Sequence, residues 1–290
     1  MNIDRGKAEA AFRDYVSHYN AEEEKVRLKI EHTFRVAGLC EQIARSLGLE
    51  KEEQDLAWFT GLLHDAGRFE QLKNYGTFID ADSIDHAEYG AQILFEQGKI
   101  RDYTEDASED TLLWNAVRYH SAYRIPDMPD ERTKRFCHIL RDADKIDILK
   151  VNVDFPPEEI YNVSSQELRS CPVSEAVMEA FYEEHAILRS LKRTAADHLV
   201  GHISLVFELQ FPESRQIVKR QGYLLKLMDF ESQNPVTREQ FRKIRAYMTE
   251  YMERVSGRAI REKRFGYVDS ICVRLSCFCR FNSYFGKVRD

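Results

Sequence analysis

A chain of 290 residues, 43% hydrophobic and 31% charged, is long enough to bury a substantial core and too apolar to be disordered. Its net charge of -7 disfavours extended contact with a nucleic-acid backbone, which needs a basic face. No apolar run reaches membrane-spanning length and no signal-peptide core opens the chain, so the expectation is a cytoplasmic protein without membrane contact.

Helical periodicity dominates, and no convincing strand alternation or internal repeat interrupts it. Helices are expected over 5–18 and 24–47. The second carries Ile30, Phe34, Ala37, Cys40, Ile43, Ala44 and Leu47 as one apolar stripe, with His32 in its first turns and Gly48 as its stop. A third, over 51–66, runs through an apolar stretch into His64-Asp65, and Gly67 is expected to end it. Residues 70–82 read as a loop, in which Tyr75, Thr77 and Phe78 are candidates to line a substrate mouth. Asp82 or Ser83 is expected to cap a helix over 82–97 that carries His86. His120 closes a helix over 109–120. A helix over 130–150 places Asp144 among apolar neighbours, with Asp142 and Asp147 as competitors that helix phase does not separate.

Pro156-Pro157 marks a boundary within 151–165, because proline cannot continue a helix without disrupting it. Further helices are expected over 173–191, 194–209, 213–229 and 236–256. These either form a subdomain or pack around the first six. The organisation expected is 1–155, a helical domain with the His and Asp residues; 156–256, a helical extension; and 257–290, a poorly ordered basic tail rich in Cys and aromatics. Cys272, Cys277 and Cys279 in that tail lack the spacing of a zinc site. Cys40 and Cys137 fall in helical patterns and read as buried thiols. His198 and His202 have the H-x3-H spacing, but without the glutamate of a zinc-peptidase helix they read as packing or hydrogen-bonding residues.

His32, His64, Asp65, His86, His120 and Asp144 are the candidate site. Imidazoles and carboxylates together suit hard or borderline divalent metals, and such a metal makes a nucleophile of water at neutral pH. A buried carboxylate among Ile139, Leu140, Ala143, Ile146 and Leu149 also needs a partner.

The order H…HD…H…H…D, in the settings EHTFRVAGL, GLLHDAGRF and RDADKIDIL, resembles the HD-domain superfamily of metal-dependent phosphohydrolases. The resemblance covers roughly residues 25–150, and the extra His86 and His120 resemble its two-metal subgroup. It implies an all-α HD-domain bundle with additional C-terminal helices. His32, His64, Asp65 and Asp144 would hold one metal, and Asp65 would bridge to a second held by His86 and His120. The metals would be Mn, Fe, Mg or Co. The activity implied is hydrolysis of a phosphomonoester, phosphoanhydride or phosphodiester of a small molecule, a nucleotide being the expected class, by a metal-activated bridging hydroxide. Asp65, Arg68 and Lys145 are the candidate catalytic residues, the two cations to neutralise developing charge, with Arg35 and Arg124 behind them. The GYP portion of the cyclic-dinucleotide phosphodiesterases is missing after His120. Two other readings stand beside this one: a di-iron oxygenase on the same ligands, and a signalling or binding module with a structural metal site.

Overall fold

In the computed structural model residues 1–161 and 163–256 are described, and among them every regular element is helical. The expected all-α class is what the chain adopts. The tail at 257–290, with Cys272, Cys277 and Cys279, lies outside the described residues.

Helices α1 (Arg5–Ser17), α2 (Glu24–Ser46), α3 (Lys51–Leu63), α4 (Ala66–Tyr75), α5 (His86–Ala91), α6 (Ile100–Tyr103), α7 (Asp110–Tyr119) and α8 (Glu131–Asp154) form the first half. Ala37, Cys40, Ile43 and Ala44 of the expected stripe on α2 are fully covered, with Val36 beside them, whereas Ile30, Phe34 and Leu47 are half-buried. The helix packs on α3, which buries Leu56, Ala57, Phe59, Leu62 and Leu63, and on α8. Each large aliphatic or aromatic side chain so enclosed stabilises the fold by about 1.5–3 kcal/mol. Cys40 and Cys137 are buried free thiols, as expected. Phe12 of α1 sits edge-on to Phe34 and Phe69, and the Tyr15 hydroxyl donates to the Ala66 carbonyl at 2.9 Å, so α1 braces the start of α4.

The helix expected over 51–66 instead breaks at His64-Asp65. Asp65 leaves helical geometry at φ -101°, ψ 17°, and α4 then runs on to Tyr75, where a loop was expected from residue 70. Gly67 is not a terminator but a contact point. A Cβ on it would stand 2.2 Å from the His86 carbonyl oxygen and 2.6 Å from the Gly90 nitrogen, so α4 and α5 touch backbone to backbone. Asp85, rather than Asp82 or Ser83, caps α5 by accepting from the Ala87 and Glu88 amides. Residues Asp80–Asp82 form a separate short turn ahead of it.

The second half contains α9 (Pro157–Tyr161), α10 (Ser165–Ser170), α11 (Glu175–Tyr182), α12 (Ala195–Ser204), α13 (Pro212–Gln221) and α14 (Tyr223–Met228). The helix expected over 173–191 stops at Tyr182, and Glu184 turns the chain with φ 57°. The one expected over 213–229 is two helices, because Gly222 takes φ 73° between them. Residues 1–242 are one compact unit, which includes Pro156-Pro157. The reason is visible on α8. Helices α13 and α14 pack on it, and the Asp142 carboxylate accepts from the Gln210 and Phe211 amides at 3.0 Å. In the second unit, residues 243–256 are helical. No helix among the described residues is long and apolar enough to cross a membrane.

Candidate metal centre

The six candidate ligands arrive from separate elements and converge. His32 comes from α2, His64 from the end of α3, Asp65 from the break before α4, His86 from the first turn of α5, His120 from the end of α7 and Asp144 from the middle of α8. All six are buried.

Their donor atoms fall into two groups that share Asp65. On one side, His32 Nε2 lies 3.2 Å from His64 Nε2 and 3.2 Å from Asp144 Oδ1. Asp65 Oδ2 completes this group, 3.6 Å from His32 Nε2 and 3.5 Å from His64 Nε2. On the other side, His86 Nε2 and His120 Nε2 lie 3.1 Å apart, each 3.7 Å from Asp65 Oδ1. Adjacent ligands of one ion with bonds of about 2.1 Å stand about 3.0–3.4 Å apart. The two imidazole pairs and His32–Asp144 have that spacing; Asp65 stands a few tenths of an ångström wider and turns one oxygen to each group. As the N-cap residue of α4 it makes no side-chain capping bond.

Each histidine is oriented by its other nitrogen. His32 Nδ1 meets Asp147 Oδ2 at 2.6 Å, His86 Nδ1 meets Asp80 Oδ1 at 2.9 Å, and His64 and His120 reach the Gly61 and Val117 carbonyls at 2.7 Å each. A carboxylate or carbonyl partner makes Nδ1 the protonated nitrogen and leaves Nε2 with its lone pair inward, the tautomer a metal requires. The three aspartates of α8 are thereby separated. Asp144 faces the cluster, Asp147 orients His32, and Asp142 serves the second half of the chain.

The carboxylates are held ionised, and the imidazoles divide: burial and Lys29 work against a proton on His32, but Asp144 and Asp147 outweigh them and raise its pKa, whereas burial lowers His86 and His120. Burial works to raise the Asp65 pKa, but Lys29, His64 and Arg68 outweigh it and hold the carboxyl well below the usual range. Burial opposes ionisation of Asp144 too, and His32, with His64 and His120, reverses it. His120 is pushed down to about 3 by burial and by the neighbouring His86 and His64. Among the described residues, His32–His64–Asp144 and His64–Asp65–His120 are groups whose ligand atoms all lie within 4.8 Å of one another. Asp80, Asp85 and His86 form a third such group. There Asp85 is occupied as a helix cap and Asp80 holds the outer nitrogen of His86, so it is the rim of the same site.

The cations differ from expectation. Arg68 is close, but its guanidinium is engaged by the Phe78 carbonyl at 2.6 Å and Asp80 at 2.9 Å, with Nε left 3.8 Å from Asp65 Oδ1 and without a hydrogen bond. Lys29, absent from the sequence reading, donates to Asp65 Oδ2 at 2.8 Å. Its only sequence signal is position, three residues before His32 on the same helical face. Lys145 lines the cavity. Arg35 is turned away, bound twice to Asp147, and Arg124 is exposed beside Tyr123.

A cavity of about 580 Å³ opens onto the cluster. Its lining includes Asp65, His86, His120 and Asp144 on one side, Tyr123 and Ile148, and a stretch between Ala186 and Glu208 from the second half. Tyr75, Thr77 and Phe78 are not among its lining residues. The Phe78 ring stands instead between Lys29 and Arg68, 5.5 and 5.7 Å from their charges. His202 does line it, and its Nδ1 meets the Tyr161 hydroxyl at 3.0 Å.

Residues 30–149 match the family model described as HD domain. The chain matches no curated protein and no solved structure.

Proposed function

Residues 30–149 match the HD-domain family, and from that match we propose that the chain is a metal-dependent phosphohydrolase acting on a small phosphorylated compound. The observation that carries the reading is the shared Asp65, with one oxygen toward His32 and His64 and the other toward His86 and His120. That arrangement supports two metal positions, one held by His32, His64, Asp65 and Asp144, the other by Asp65, His86 and His120. An all-nitrogen and oxygen donor set fits Mn, Fe, Mg or Co and carries no thiolate that would select a softer ion. When bound, divalent ions there supply a water-derived nucleophile at neutral pH and polarise a phosphoryl oxygen.

The chain's own residues prepare the site. Asp147, Asp80 and two carbonyls fix the imidazoles before anything binds, so no reorganisation is needed later. Lys29 and Arg68 sit beside Asp65, where they offset negative charge on an entering phosphoryl group. Lys145, from the wall next to Asp144, adds a positive charge to the same cavity. Tyr123, Ile148, Ile187 and Leu188 supply apolar surface around the mouth, and its volume suits a molecule of nucleotide size.

Metal quantification of the purified chain, together with a phosphate-release screen over nucleotides, dinucleotides and a generic phosphodiester, tests the proposal. The expected result is about two divalent ions per chain and metal-dependent release from at least one substrate class. Full metal occupancy with no release from any of them would count against a hydrolase.

A further inference from the structure

The cavity holds more positive charge than its pairing explains. Lys29 is bound to Asp65, and Arg68 and Arg189 both to Asp80. Arg141 spends its guanidinium on the Tyr119, His120 and Ala122 carbonyls. Of the acids, Asp85 caps α5, and Glu208 accepts from the Ala186 amide at 3.1 Å. The ammonium groups of Lys145 and Lys192 remain, lining the cavity with neither hydrogen bond nor ion pair among the described residues. Lys145 is more than nine-tenths buried. An ammonium group largely shielded from water and without a partner gains a charge-assisted contact when an anion arrives.

Lys192 is the informative one, because it lies far outside residues 30–149. The fold makes room for it. A Cβ on Gly201 of α12 would stand 2.4 Å from both its Cε and its Nζ, so the glycine lets the amine lie against the helix backbone. Arg189 and His202 line the same part of the cavity. Burial, with Arg189 adding and Asp197 opposing, pushes the Lys192 amine down to about 8.

We propose that Lys192, with Arg189 and His202, forms a second anion subsite, and that the substrate carries a second phosphate besides the one presented to the His–Asp cluster. The proposal rests on the phosphohydrolase reading for the first phosphate. It adds that the second half of the chain selects what is hydrolysed, by holding the far end of a doubly phosphorylated molecule.

Calorimetry on the metal-loaded full chain tests this with alkane-α,ω-bisphosphonates of two to six carbons, each compared with the monophosphonate of equal length. One length is expected to bind about tenfold more tightly than its monophosphonate, the effect of one added charge-assisted contact. That gain should vanish in Lys192→Met. It should also shrink in Gly201→Ala, which keeps the charge but displaces the amine and favours the helix. The absence of any length-dependent gain, or an undiminished gain in both variants, overturns the proposal. Neither result depends on turnover, so each is distinct from a failure of the hydrolase reading, which appears as absent phosphate release by the unaltered chain.

Discussion

His32 Nδ1 and Asp147 Oδ2 lie 2.6 Å apart, and the same carboxylate takes two hydrogen bonds from Arg35. Asp147 touches no other candidate ligand, yet it sets both the tautomer and the ring plane of His32. Asp147→Asn should lower metal affinity about 10–100-fold while leaving the helical content intact, measured by metal titration and circular dichroism. An unchanged affinity would mean that the ring is held by packing alone.

Asp65→Ala removes the one carboxylate shared by both groups. Metal content should fall to background, and phosphate release with it, whereas replacement of a ligand on one side, such as His120→Ala, should leave one ion bound. Elemental analysis of the two variants side by side decides this. Unchanged metal content in Asp65→Ala would sink the shared-ligand arrangement.

Gly67→Ala places a methyl group where the His86 carbonyl and the Gly90 amide already stand. Backbone cannot swing aside as a side chain does, so α4 and α5 must separate, at a cost of about 1–3 kcal/mol or more. Because α5 carries His86, the variant should lose the ion of the His86–His120 side before the other. Thermal melting with metal titration would register both effects.

His202 provides a pH test on stability. Burial, with Lys192, His198 and Arg189 adding, pushes it down to about 3 from an ordinary value of 6.5. The folded state therefore refuses a proton that the unfolded chain accepts. Its contribution is complete above pH 6.5 and drains away as pH falls toward 3, by at most about 1.4 kcal/mol per unit. His202→Gln, neutral throughout, should be the less pH-sensitive protein between pH 6.5 and 4.5 in melts of metal-free samples. Parallel pH slopes would remove His202 from the account.

Much of the candidate centre was legible in the chain because the residues that converge there are chemically distinctive types set in helical patterns. His32 and Asp144 lie on stripes whose burial the spacing announces, and His64-Asp65 ends an apolar run. What stayed hidden depends on contacts distant in sequence. Asp80 sits in a loop with no periodicity, and its role appears only when Arg68, His86 and Arg189 surround it. Lys192 reaches the cavity from a turn that follows a shortened helix, and neither that turn nor Gly201 carries a local signal of the contact. The α3–α4 break was missed because sequence pattern treats Gly67 as a stop, whereas packing against α5 is what requires glycine there.

Asp142 shares α8 with Asp144, and it is fully enclosed with its oxygens committed to the Gln210 and Phe211 amides. A fragment trimmed to the recognised segment would strip those amides away and strand a carboxylate in an apolar helix face, two residues from Asp144. The stretch that recurs as a family signature is therefore shorter than the stretch that must fold as a whole. For this chain, what can be exchanged as a recognisable module and what can stand alone in water are different lengths of polypeptide.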